Sequence, residues 1–455
     1  AGEIYFTEDD YDDFYFGKGS TYPDINGSIG ILYEQPSIKG PVLDRDTGRL
    51  TFVNAVQNHL RTTISTLRGS FEMRDRLISY QNGFFNTMSS RANSAPAGWI
   101  VGDDGDPGRA RAFLEVLDHH RIEFRALAED VELNGHSYRA GQAWILPAKQ
   151  RQFGLLEAIM ETRTTFEDDT FYDVSAWTQP LAYNLPYARL NRMPRTQAHE
   201  ETGTAPSPGR DAVAWIIPWN QLQAPALLQK LLTSGARVRT ASKPFTARTR
   251  EGNETFGYGT LVVHAGLQDP GSADAAHAVL SEAAASGIRI LETGTALTPG
   301  GPDLGAIHFK LVRPIKPLML VGEGTVEYEV GHAWHQFDQR LGVVPVMVEM
   351  HRLREIRFSD YTHLIMLNGR YSGISKQQEE RIVSWVQEGG ILITTARASS
   401  WAESLCFAAR EADCEGKSNG KSVENGQSRP YGEYGSDAAQ QVIGGAIVAA
   451  NVDLT

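Results

Sequence analysis

From residue 99 onward, short apolar runs of strand length alternate with amphipathic segments of helical period, and no other feature narrows the fold as far. The alternation recurs about every hundred residues. The first unit reads as a strand at 99–101, a helix at 109–119 and a strand at 122–127. The second reads as a strand at 213–217, a helix at 224–233 and a strand at 236–240. The third has a strand at 318–321, a stretch at 332–341 and a strand at 343–348. Each then supplies a further strand, at 143–146, 261–264 and 363–367, ahead of a helix at 152–161, 273–286 and 376–388. The last two add a final strand at 288–291 and 391–394. Strands joined by crossover helices predict parallel sheets with helices on both faces.

Breaks in the pattern suggest domains at 1–92, 97–312 and 316–455. Residues 92–98 read as a linker, preceded by helical spacing over 71–88. A Thr-, Pro-, Gly- and Glu-rich stretch at 197–210 reads as solvated loop. Pro314 and Pro317 restrict the backbone before the third unit. A polar insertion at 415–428 precedes an apolar segment at 442–450.

With 455 residues, 41% of them hydrophobic, sizeable cores can form. The net charge of -12 argues against a nucleic-acid partner. No apolar run is long enough to predict a membrane span. Cys406 and Cys414 fit either a disulfide or two thiols.

Ahead of the repeating pattern, a glycine-rich loop at 14–23 leads to the run Gly30-Ile31-Leu32-Tyr33-Glu34-Gln35. This run is predicted to be a buried strand ending on Glu34. A carboxylate there costs free energy unless it is paired or used, and the position suits a general base aimed into a cleft. Residues 5–67 resemble the C-terminal part of the zinc carboxypeptidases, the carboxypeptidase A-like metallopeptidases. The matching pieces are Phe14-Tyr15, Gly17-Lys18-Gly19-Ser20-Thr21-Tyr22-Pro23, Gly27-Ser28-Ile29-Gly30, Leu32-Tyr33-Glu34-Gln35 and a helix around 50–67. The resemblance implies that Glu34 is the catalytic base. It also implies that a loop tyrosine closes on the substrate, for which Tyr15 matches best and Tyr22 is a second candidate. It further implies a catalytic zinc held by a His-x-x-Glu pair and a later histidine, all upstream of this chain. The substrate would be a peptide or protein, and the location secreted or periplasmic. The chain begins at Ala1, already inside the resemblance. The expectation is therefore a truncated enzyme with no zinc bound here, inactive as a peptidase by itself.

Two residue pairs, one His–Glu and one His–His, are candidate ligands. His120 and Glu123 have the His-x-x-Glu spacing, but a helix end followed by a half-buried strand explains them as well. His332 and His335 lie one helical turn apart and fit a solvated face. No third ligand is evident for either pair.

The third unit resembles the glutamine amidotransferase-like fold that some bacterial zinc carboxypeptidases carry behind the peptidase module. The residues that carry this are 361–369 and 380–394, including Trp385-Val386-Gln387-Glu388-Gly389-Gly390. Active members place a cysteine on the turn after the strand matching 391–394. Here that turn reads Thr395-Ala396-Arg397-Ala398-Ser399-Ser400, with no thiol nucleophile. Ser399 or Ser400 would need a base, and nothing in the spacing of His351 and Glu355 supplies one. The Gly322-Glu323-Gly324-Thr325 loop reads as a tight turn at the sheet edge where small-molecule ligands bind.

The expected fold is thus α/β: a partial carboxypeptidase-like α/β module followed by parallel-sheet, flavodoxin- or amidotransferase-like units. The expected function is hydrolysis of C-terminal peptide bonds by a zinc metallocarboxypeptidase of which this chain is part. The alternatives are a non-catalytic ligand- or partner-binding α/β module with a vestigial peptidase segment, and an independent serine hydrolase.

Overall fold

The computed structural model describes residues 15–35, 38, 40–45, 48–103, 105–162, 178–199 and 207–405. Described residues up to 199 belong to one compact unit and those from 207 to a second. The protein is mixed α/β with several separate sheets. Cys406, Cys414 and the segments at 415–428 and 442–450 lie outside the described residues.

The first unit opens with a loop and the short helix α1 (Thr21–Ile25). A hairpin of β1 (Val42–Arg45) and β2 (Gly48–Thr51) follows. Thr51 ends the hairpin and caps α2 (Phe52–Glu72): its hydroxyl accepts the Asn54 amide, one of the donors that a helix start leaves without a partner. α3 (Arg74–Ser94) follows after a break at Met73. On α2, Val53, Val56, Leu60, Ile64, Leu67 and Phe71 recur every three or four residues and so form one apolar stripe. Yet α2 buries no residue, and Leu67 and Phe71 are 64% and 70% exposed.

Next come β3 (Gly98–Gly102), α4 (Pro107–His119), β4 (Arg125–Leu127), β5 (Val131–Leu133), β6 (His136–Tyr138), β7 (Ala143–Pro147), α5 (Phe153–Met160), α6 (Gln179–Ala182), β8 (Tyr187–Leu190) and β9 (Thr196–Gln197). The sheet order is β8-β3-β7-β4-β9, and every neighbouring pair is antiparallel. This corrects the expectation of a parallel sheet. The α4 crossover does leave β3 and β4 parallel to each other. The chain then returns through the β5–β6 hairpin, and β7 inserts between them. The hairpin reverses the chain before β7, so β7 runs antiparallel to both of the strands it separates. β3 and β7 are buried on both faces: Trp99, Val101, Trp144 and Leu146 face one core, Ile100 and Ile145 the other.

The second unit repeats this plan. It contains β10 (Ala214–Ile217), α7 (Ala224–Thr233), β11 (Arg239–Ala241), β12 (Phe245–Thr249), β13 (Gly252–Phe256), β14 (Leu261–His264), α8 (Ser272–Ala285), β15 (Leu291–Thr293) and β16 (Phe309–Leu311). The order is β13-β12-β15-β10-β14-β11-β16, again all antiparallel. Its last five strands match β8-β3-β7-β4-β9 one for one, so 98–197 and 214–311 share a topology. Even the helix ends agree. Ile122 donates to Leu117 and Ala236 to Leu231, closing the same left-handed stop. Gly235 supplies its positive φ of 82°, whereas Arg121 adopts 56° without that freedom.

The third sheet is different and meets the parallel expectation. It is built from β17 (Pro317–Val321), α9 (Glu327–Trp334) running into a π-helical turn (His335–Leu341), β18 (Val346–Glu349), β19 (His363–Met366), α10 (Lys376–Gln387), β20 (Ile391–Thr394) and α11 (Arg397–Glu403). All its pairs are parallel, in the order β18-β17-β19-β20. Leu318, Leu320, Leu364 and Met366 face α10 residues Ile382 and Trp385. Met319 and Ile365 face Val330, Ala333 and Phe337. No helix among the described residues is long and apolar enough to cross a membrane.

Candidate functional site

Residues 15–35 form two differently placed pieces. The loop and α1 pack into the core of the first unit. Phe16 is buried there with Trp99, Phe113 and Ile159, and Tyr15, Tyr22 and Ile25 lean on the same cluster. Two glycines make this close packing possible. A Cβ on Gly27, which has φ +74°, would stand 2.7 Å from the Phe84 ring of α3. One on Gly30 would stand 1.6 Å from the Ser20 carbonyl. Asp24 Oδ1 accepts the Gly30 amide at 2.7 Å and so closes the loop.

The second piece, 30–35, is not the buried strand expected from its composition. It has no regular secondary structure and pairs with no strand, and Ile31, Leu32 and Tyr33 are exposed. An apolar run becomes a strand only where a ladder partner exists, and here the segment lies along α2 instead. The Tyr33 hydroxyl meets Thr66 Oγ1 at 3.1 Å, and Gln35 Nε2 donates to the Ala55 carbonyl at 2.9 Å. Glu34 is exposed, and among the described residues it makes no hydrogen bond or ion pair. Burial therefore supplies no argument for its role.

Tyr15 is half-buried, its ring 5.1 Å from Phe16 and over Gly17. Tyr22 is occupied: its hydroxyl shares a hydrogen bond of 2.6 Å with His120 Nδ1. The two tyrosines thus share a core, while Glu34 stands apart from it.

Among the described residues, neither of the two candidate pairs forms a zinc site. His120 is engaged by Tyr22, and Glu123 is an exposed side chain whose backbone is held by Gln150. His332 and His335 are both exposed on the α9 helix and the turn that continues it. Among the described residues, no three His, Cys, Asp or Glu side chains stand together as a ligand set.

In the parallel sheet, the crevice between the β17 and β19 loops is where such sheets bind ligands. It is bridged by two main-chain hydrogen bonds and one between side chains. Arg370 donates to Gly324 at 2.7 Å, Val326 donates to Asn368 at 2.9 Å, and Asn368 Nδ2 donates to Glu329 at 2.9 Å. After β20 the chain turns sharply through Thr395–Ala398, and the Ala398 amide donates to the Thr395 carbonyl at 3.0 Å. Ala396 has φ 47° and ψ -120°, the geometry of the first central residue of a type II′ turn, which glycine normally fills. Sequence reasoning missed this residue, because a strained alanine carries no glycine to mark it. Ser399 Oγ pairs with Thr394 Oγ1 at 3.1 Å, and His351 pairs with Glu349. The serines therefore have no histidine base among the described residues. Two shallow grooves of about 450 and 340 Å³ flank α10 and involve none of Tyr15, Tyr22 or Glu34.

No protein-family model, no curated protein and no solved structure matches the chain.

Proposed function

We propose that residues 1–92 are the C-terminal part of a zinc carboxypeptidase-type domain and that the whole protein hydrolyses C-terminal peptide bonds. The observation that carries this reading is the uncovered apolar surface. Ile29, Ile31 and Leu32 of the Gly-Ser-Ile-Gly-Ile-Leu-Tyr-Glu-Gln string are exposed, and so is the apolar stripe of α2, along which that string lies. An apolar area of this kind marks an interaction surface, and on this reading a further portion of the same domain would be its natural cover. That portion would also turn 30–35 into a paired strand and enclose Glu34. Zinc, held by ligands outside the described residues, would supply Lewis-acid chemistry. The part assigned to Glu34 is to accept a proton from the attacking water and return it to the departing amine. Tyr15 is assigned to the substrate. The parallel sheet behind, with its β18-β17-β19-β20 order and its turn at Ala396, supports an amidotransferase-like domain without a nucleophile. The reading carries with it a secreted or periplasmic location.

A second reading, a binding module with a vestigial peptidase segment, is favoured by the engagement of Tyr22 with His120. Glu34→Gln in the protein extended upstream through the zinc ligands separates the two. A general base contributes about 10²–10⁴-fold, so kcat should fall by that much with zinc content unchanged. Unchanged hydrolysis would overturn the assignment.

A further inference from the structure

The Tyr22–His120 bond joins residues 98 positions apart. Both partners are held from behind. Lys18 accepts the Tyr22 amide at 2.9 Å, and the Tyr22 carbonyl accepts from Asn26 Nδ2 at 2.8 Å. The His120 carbonyl accepts from Gln152 Nε2 at 2.9 Å, so the end of α4 is tied to the start of α5. The rings also meet, with centroids 5.4 Å apart. On the other side of the loop, Gly27 abuts Phe84 of α3. The loop carrying Tyr15 is therefore clamped between α3 and the end of α4, with the Tyr22 hydroxyl as a direct side-chain link to the α4 end.

From this geometry we infer that His120 is a positioning residue: it latches the 15–28 loop through Tyr22, and so makes the α/β domain part of the substrate-loop support. The substrate-loop role rests on the peptidase reading; the latch itself does not. His120 touches no reacting group and acts only through where it holds the loop. Tyr22 is accordingly removed from direct substrate contact, leaving that role to Tyr15.

The test has two arms. In the 455-residue chain, amide hydrogen exchange is compared for the wild type, Tyr22→Phe, His120→Phe and the double variant. A lost hydrogen bond should raise exchange at Tyr22, Gly27 and Ser28 about fivefold, with β7 amides unchanged. The double variant should be no worse than either single one, because both remove the same bond. Unchanged exchange, or additive effects, would overturn the latch. In the upstream-extended protein, Tyr22→Phe should raise KM several-fold while kcat stays within about twofold. Faster exchange with KM unmoved would overturn the positioning role and leave the peptidase reading intact. No hydrolysis by the wild type would overturn that reading and the substrate role together, while the exchange arm still decides the latch.

Discussion

Ala396 offers the sharpest test of the parallel-sheet domain. Its φ of 47° and ψ of -120° put an L-residue where its Cβ crowds the neighbouring carbonyl. A residue held in such a region costs about 1–3 kcal/mol. Ala396 is exposed, so Ala396→Gly removes nothing that packs. Glycine adds an entropic cost of about 0.5–1 kcal/mol through the unfolded chain. The difference favours the variant by about 1 kcal/mol. For a unit of this size, that corresponds to a rise of roughly 2–4 °C in the melting transition. Differential scanning calorimetry of the chain reads this directly. Ala402→Gly, inside α11, is the control, since it should lose about 1 kcal/mol in the ordinary way. If Ala396→Gly lowers the transition as Ala402→Gly does, the turn is not strained and the reasoning fails.

Two further outcomes follow from the burial and charge pattern. His264 is buried and held below the usual histidine range, first by desolvation and then by the Arg239 charge; desolvation does the same to His363. Both bind protons more readily when unfolded. Stability is therefore full above about pH 6.5 and declines as pH falls through that value toward the depressed folded-state pKa. Urea titrations between pH 7 and 5 should show this slope, and His264→Gln should flatten it. On the exposed stripe, Leu60→Ala should change stability by less than about 0.5 kcal/mol, whereas Phe113→Ala should cost about 3–5 kcal/mol.

Individual elements were legible where their period was strong. The helix at 224–233 and the strands at 261–264 and 391–394 lie where their apolar spacing placed them. Their partners were not legible. Both faces of β3 and β7 are buried, so neither strand shows the alternation that would mark an antiparallel neighbour. β9 and β16, of two and three residues, are too short to stand out from loop sequence, and in β8 Arg189 interrupts the apolar run. At the candidate site, the apolar run 30–34 suggested a buried strand, but the segment pairs with no strand and its apolar side chains are exposed, because composition does not reveal whether a ladder partner exists. The Tyr22–His120 bond spans 98 positions, a separation that no local pattern encodes.

The two matching sheets differ most in their hairpins. The strands of the first hairpin are three residues long, and it stays a separate two-stranded ribbon. The strands of the second are five residues long, which lets Thr249 reach Thr293 and fuse the ribbon to the sheet. Sheet width in this architecture is therefore an adjustable quantity. Two added residues per arm convert a dangling appendage into a new outer border, and the five shared strands keep their wiring.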